Sequence, residues 1–265
     1  MSFFATNGIK PKEWLKKQLE IQAKGLCGNL DKVWPDVRDS AWIGGDREGW
    51  ERVPYWLDGF IPLAYLLGDE DMISRAKKYI DAIILAQKDD GWICPCTDDE
   101  RDNYDTWAVL LICKVLCLYC DCSKDNSVIK VIEKCLKQFN SHINHNTMRN
   151  WGAARWFEGL ISIYWLYEKT GEKWLITLAK KLRVQGFDWR NLFGLEPHFG
   201  CCTANFGQGF PKLALSTFFK TEKGIASCVL SPSTVETEIN GVKVVCELGI
   251  LTAVTVTDFQ SQQNR

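Results

Sequence analysis

The chain carries almost no net charge, −1 from 32 basic and 33 acidic side chains, and no block or stripe of lysine and arginine stands out along it. A nucleic-acid surface needs clustered positive charge, so no nucleic-acid partner is expected. No apolar run is long enough to span a bilayer. Leu110 to Cys120 is the nearest approach, and it is short and interrupted by Lys114. Met1 to Lys10 lacks the apolar centre of a secretory signal. The expectation is therefore a cytoplasmic protein with no membrane partner.

Cysteine is plentiful, with 12 residues, but a disulfide framework belongs to short exported chains. Cys113, Cys117 and Cys120 fall at helical spacing and read as small apolar core residues in a reducing compartment. Cys94-Pro-Cys96 has no second pair at zinc-finger spacing. Tryptophan is also abundant, at 12 residues. In a core these rings supply bulk; in a concave site their faces suit the C–H patches of sugar rings. Composition alone does not separate the two.

The chain reads as paired helices. Lys12 to Leu26 forms a first helix, with Pro11 at its start and Gly25 and Gly28 at its end. Asn29 to Glu48 reads as a long loop. The pairs then follow as 53–67 with 71–87, 104–120 with 127–143, and 153–169 with 174–185. The three second helices open alike, and the unit recurs at roughly fifty residues, the signature of a helical array. Short polar turns favour antiparallel hairpins. Tryptophan-rich loops at 42–56, 92 and 151–156 suit a closed toroid, which gathers such loops at one end, better than an open solenoid. After Thr221 the pattern turns β: 224–230, 234–239 and 242–248 are short and β-branched, Asn240-Gly241 is a hairpin turn, and 249–256 offers one more strand. The expected division is 1–220 helical, 221–258 β and 259–265 a polar tail.

The chemistry concentrates in Gly194-Leu-Glu-Pro-His-Phe-Gly-Cys201-Cys202-Thr-Ala-Asn205-Phe-Gly-Gln208-Gly-Phe-Pro-Lys212. Two adjacent cysteines precede Thr203 and Asn205, either of which suits a helix cap. A helix start favours a thiolate, which serves as zinc ligand or nucleophile; the plainer alternative is a pair of buried, inert thiols. The string Cys-Cys-Thr-Ala-Asn-x-x-Gln-Gly-x-Pro-Lys resembles the signature of glycoside hydrolase family 127, the β-L-arabinofuranosidases. So do Gly49-Trp50-Glu51-Arg52-Val53-Pro54-Tyr55-Trp56-Leu57-Asp58-Gly59, Asp90-Gly91-Trp92, Tyr164 to Gly171 and Gln185-Gly-Phe-Asp-Trp189. They run in order from about Trp42 to about Val235.

The resemblance implies a mainly α fold, an (α/α)6-barrel-type toroid of helical hairpins that is incomplete here, followed by the start of a β-sandwich. It implies retaining hydrolysis of β-L-arabinofuranosides, with Cys201 as nucleophile on a zinc ion and Cys202 as a second zinc ligand. The family's remaining zinc ligands lie in a Glu-Thr-Cys motif, which this chain lacks. The helices that separate Gln-Gly-Phe-Asp-Trp from the cysteine pair in the family are reduced here to barely a loop, so the chain looks shortened, with the acid/base glutamate missing. The alternative is an inactive fragment that binds carbohydrate or protein. An unclosed barrel would leave helix faces open to self-association.

Glu196 and His198 stand where they could ligate metal beside the cysteines, or be loop residues. Glu48, Trp50, Glu51, Trp56 and Arg155 are the candidate contacts to a furanoside ligand. For Glu48 and Glu51 the competing role is structural, as caps or ion pairs at a helix start. Asp46, Asp58, Trp156 and Glu158 share that ambiguity, and His142 and His145 read as a frayed helix end.

Overall fold

The computed structural model describes residues 10–188 in full, together with the backbone of five strands between 219 and 257. The chain divides into two compact units, 1–187 and 188–265.

The first unit is mainly α, a row of helical hairpins of the α/α toroid type. Three hairpins follow one another among the described residues: α4 (Arg52–Leu67) with α5 (Glu70–Leu85), α6 (Trp107–Ser123) with α7 (Val128–His145), and α9 (Gly159–Thr170) with α10 (Trp174–Gln185). Helix α6 packs against both α4 and α9, so these three lie side by side as an inner row, each backed by its hairpin partner. The sequence dictates this layering. Inner α6 is apolar around its whole circumference, and every residue but Lys114 and Ser123 is buried. Outer α7 buries only one stripe, Val128, Ile132, Cys135, Leu136, Phe139 and Ile143, at the three-and-four spacing of an amphipathic surface helix. Glycines in the left-handed conformation, Gly68 and Gly171, close α4 and α9. Asp69 opens α5 by accepting from the Met72 N–H at 3.0 Å.

Two segments differ from the pattern expected of the sequence. The stretch 29–48 is not one loop. Helix α1 (Glu13–Lys24) ends at Gly25, and a second helix, α2 (Leu26–Val33), restarts there. Pro35 then opens the single turn α3 (Pro35–Arg38), since its missing N–H is no loss at a first helical position. Ser40 caps a short 3-10 turn, Ala41–Ile43. The expected helix 153–169 is also broken, into α8 (Asn150–Ala154), a 3-10 turn Trp156–Glu158 and α9. Arg155 sits at the break with non-helical backbone angles, φ −109° and ψ 21°.

Within the second unit, β1 (Phe219–Thr221), β2 (Gly224–Ser231) and β5 (Leu251–Thr257) form an antiparallel sheet in the order β1-β2-β5. Strands β3 (Val235–Ile239) and β4 (Val242–Cys246) pair antiparallel with Ile239 opposite Val242. Asn240 and Gly241, the expected hairpin turn, lie outside the described residues.

Candidate functional site

The N-terminal ends of the three inner helices gather at one place. Trp107, the first residue of α6, is fully buried and forms its hub. Trp50, just ahead of α4, meets it edge-on at 5.2 Å between ring centroids, and Tyr55 from the first turn of α4 does the same at 5.2 Å. Trp151 of α8 lies 6.3 Å away at a tilt. The Arg155 guanidinium is held between two of these rings, 4.2 Å from the Trp107 centroid and 4.5 Å from that of Trp151. It donates through Nη1 to Tyr55 Oη at 2.5 Å. Guanidinium planes stack on indole faces in this way, and a desolvated pair contributes about 2 kcal/mol.

Carboxylates sit at each helix start. Glu48 accepts from the Glu51 N–H at 2.6 Å and the Arg52 N–H at 3.2 Å, tying down the first turn of α4. Asp105 accepts from the Trp107 N–H at 3.0 Å, and from the N–H groups of Trp151 and Gly152, each at 2.9 Å. One carboxylate thus opens both α6 and α8, satisfying helix-start donors that have no partner within the helix. Gly152 permits this approach, because a Cβ there would come within 2.7 Å of Thr106 Oγ1. Glu158 stands at the start of α9 and accepts from Trp107 Nε1 at 3.1 Å. Burial pushes its carboxyl pKa up, against the opposing pull of that hydrogen bond and of Lys114 and Arg155.

Of the residues singled out from the sequence, the structure brings Trp50 and Arg155 together around Trp107. The Trp50 Nε1 group is buried without a hydrogen-bond partner. Glu48 serves the start of α4, and Glu51 pairs with Arg52 at 3.4 Å. Trp56 is packed in the core, stacked on Phe60 at 4.4 Å with its Nε1 donating to the Cys27 carbonyl at 2.9 Å. Asp46 is exposed beside Arg47. His142 is half-buried rather than frayed, its ring 5.3 Å from Trp92 and its Nε2 3.2 Å from Asn146 Nδ2. Cys201, Cys202, Glu196 and His198 lie outside the described residues. Among the described residues no group of three histidine, cysteine or acidic side chains is placed to hold a metal ion. None of the described helices is long and apolar enough to cross a membrane.

Trp107, Asp105 and Lys114, the partner of Asp58, were not among the candidates. Lys114 did leave a signal, as the one charge interrupting an apolar run; its Nζ lies 2.7 Å from Asp58 Oδ2.

A row of helical hairpins whose inner-helix starts share an aromatic and carboxylate-rich end defines the class as an α/α-toroid protein. The chain belongs to glycoside hydrolase family 127: the model described as "Beta-L-arabinofuranosidase, GH127 catalytic domain" matches residues 13–190. No curated protein and no solved structure matches it.

Proposed function

We propose that this chain recognises a terminal β-L-arabinofuranoside, or a closely related furanoside, at the aromatic end of α4, α6 and α8. The observation that carries this is the clamped arrangement of Tyr55, Trp107, Trp151 and Arg155. Rings fixed in place by a guanidinium and a carboxylate lose little freedom when a sugar's C–H face settles on one of them, so less of the binding free energy goes into ordering. Tyr55 keeps more than a third of its surface exposed, at 38%, and so is open to a ligand.

For hydrolysis, Cys201 is the proposed nucleophile. Its sulfur would attack the anomeric carbon as the C–O bond to the aglycone breaks, the departing oxygen gaining the proton that the thiol gives up, and water would then cleave the thioglycoside, freeing the sugar and restoring the thiol. The family's zinc finds no ligand set among the described residues. Cys201 and Cys202 offer two thiolates, and the chain has no Glu-Thr-Cys to supply the rest, so the residues present do not complete a zinc site. That missing motif favours a second function, recognition of a furanoside without turnover.

One experiment separates these. Methyl β-L-arabinofuranoside is titrated into the full chain by ligand-observed NMR, with release of L-arabinose followed in the same tube. Binding with turnover that Cys201→Ser abolishes supports the hydrolase. Binding with no turnover supports recognition alone, and absence of binding overturns both.

A further inference from the structure

We propose that the Asp58–Lys114 ion pair reads a pair of neighbouring hydroxyls on the furanoside, from the inner face of α4 and α6 beside Tyr55 and Glu158. This rests on the furanoside site proposed above and adds to it the element that selects for a vicinal diol.

Lys114 is anomalous on its own helix. The residues flanking it on α6 are buried, yet its side chain keeps 22% of its exposure, and Asp58 keeps 25%. The inner face therefore meets water at this point, midway along a helix that is otherwise sealed. Stability does not account for the pair. Two charges withdrawn from water regain little from each other, and apolar residues of the same size usually serve a helix–helix contact as well or better. Asp58 lies one helical turn beyond Tyr55, at the i, i+3 spacing that puts both on one face of α4. Glu158 lies within electrostatic reach of both members of the pair. An exposed aromatic ring, a carboxylate, an ammonium and a second, more buried carboxyl thus share one face.

The chemistry matches a diol. Ionised Asp58 only accepts and Lys114 only donates, whereas a sugar hydroxyl does both. One hydroxyl donates to Asp58 while its neighbour accepts from Lys114, and the bond between Asp58 and Lys114 fixes the spacing. Both contacts are charge-assisted, the stronger kind of hydrogen bond.

The test uses the full chain, with methyl β-L-arabinofuranoside and its 2-deoxy counterpart as probes. The wild type is expected to bind the deoxy probe about tenfold more weakly, the loss typical of a charge-assisted bond left unmade. In Asp58→Asn and Lys114→Gln that preference should collapse to within about twofold, with the loss falling on the parent sugar. Melting curves establish that each variant is folded, and if one is not, the other decides. Equal preference for the parent sugar in wild type and folded variants overturns the diol assignment while leaving the furanoside site standing. No binding of either probe to the wild type overturns the furanoside site, and the diol assignment with it.

Discussion

Two regions of this protein meet along helix α6 and invite opposite conclusions from similar raw material. At its first turn, Trp107 joins Trp50, Tyr55, Trp151, Arg155 and Glu158, so that aromatic faces, a cation and a carboxyl are interlocked. Two turns on, Cys113 faces Cys135 of α7 with the sulfurs 3.5 Å apart, and Cys117 follows. Both regions are rich in residue types that do chemistry. In the thiol seam, though, nothing opens to solvent. Contact with Cys135 and burial drive the Cys113 thiol well above the ordinary cysteine range, and burial does the same to Cys117 and Cys94. A thiol held protonated is neither nucleophile nor ligand. At the helix starts, the carboxyl groups and the guanidinium are paired, and a ring remains accessible. Residue type nominates a site; access and charge state decide it.

That contrast breaks first on stability. Trp107→Ala should cost about 3–5 kcal/mol, the range for deleting a large buried ring that others pack around. Cys113→Ala should cost about 1 kcal/mol, because a small apolar side chain is replaced by a slightly smaller one. Urea denaturation followed by far-UV circular dichroism compares them, and equal losses would mean that the seam is as structural as the hub. Arg155→Lys comes next, at about 1–2 kcal/mol, since an ammonium keeps the charge but not the planar stack. The same variant should weaken furanoside binding, because Tyr55 loses the donor that fixes it. Labelling sharpens the contrast from the other side. In folded protein, iodoacetamide should modify half-buried Cys27 and Cys96 well before Cys113 or Cys117. Peptide mass spectrometry reads the order, and early labelling of Cys113 would show the seam to be open.

Much of this was legible in the sequence, and what was not has definite physical causes. The three hairpins follow from periodicity and polar turns, and the family from ordered strings of uncommon residues. The break at Arg155 did not show, because the helical pattern runs through it unbroken. Asp105, distant in sequence, is what holds the short α8 by its first N–H groups. Glu48 illustrates a different limit. An acid beside a tryptophan ahead of a helix is equally good as a sugar contact and as a tether for that helix's first turn, and only the position of the helix start shows the second use. Trp56 and Trp50 are neighbours in one motif, but they point to different places. The first fills the core against Phe60 and Tyr79, and the second joins Trp107. Lys114 carries a signal of another kind. A charge midway along an apolar stretch of helix calls for a partner across the interface, and Asp58 is that partner.

The smallest expected effect concerns the carboxyl at the edge of the two regions. Burial raises the pKa of Glu158 in the folded chain above its unfolded value. Folding therefore favours the protonated form. The stability from this shift is fully present below the ordinary glutamate range and is lost as pH rises through the folded value. Glu158→Gln is a permanent mimic of the protonated state, and its amide oxygen can still accept from Trp107 Nε1. Wild type and Glu158→Gln should therefore be closest in stability at acidic pH, with the wild type falling behind as the solution approaches neutrality. Urea midpoints of both proteins across about pH 4 to 8 measure the difference directly, since titrations common to the two cancel. A gap that stays flat would mean that Arg155 and Lys114 cancel burial at this carboxyl, and one that widens in favour of the wild type would mean that they outweigh it. Glu158 would then be a settled anion in an ion-pair network, and the contrast between a sealed seam and an electrostatically poised helix end would rest on access alone.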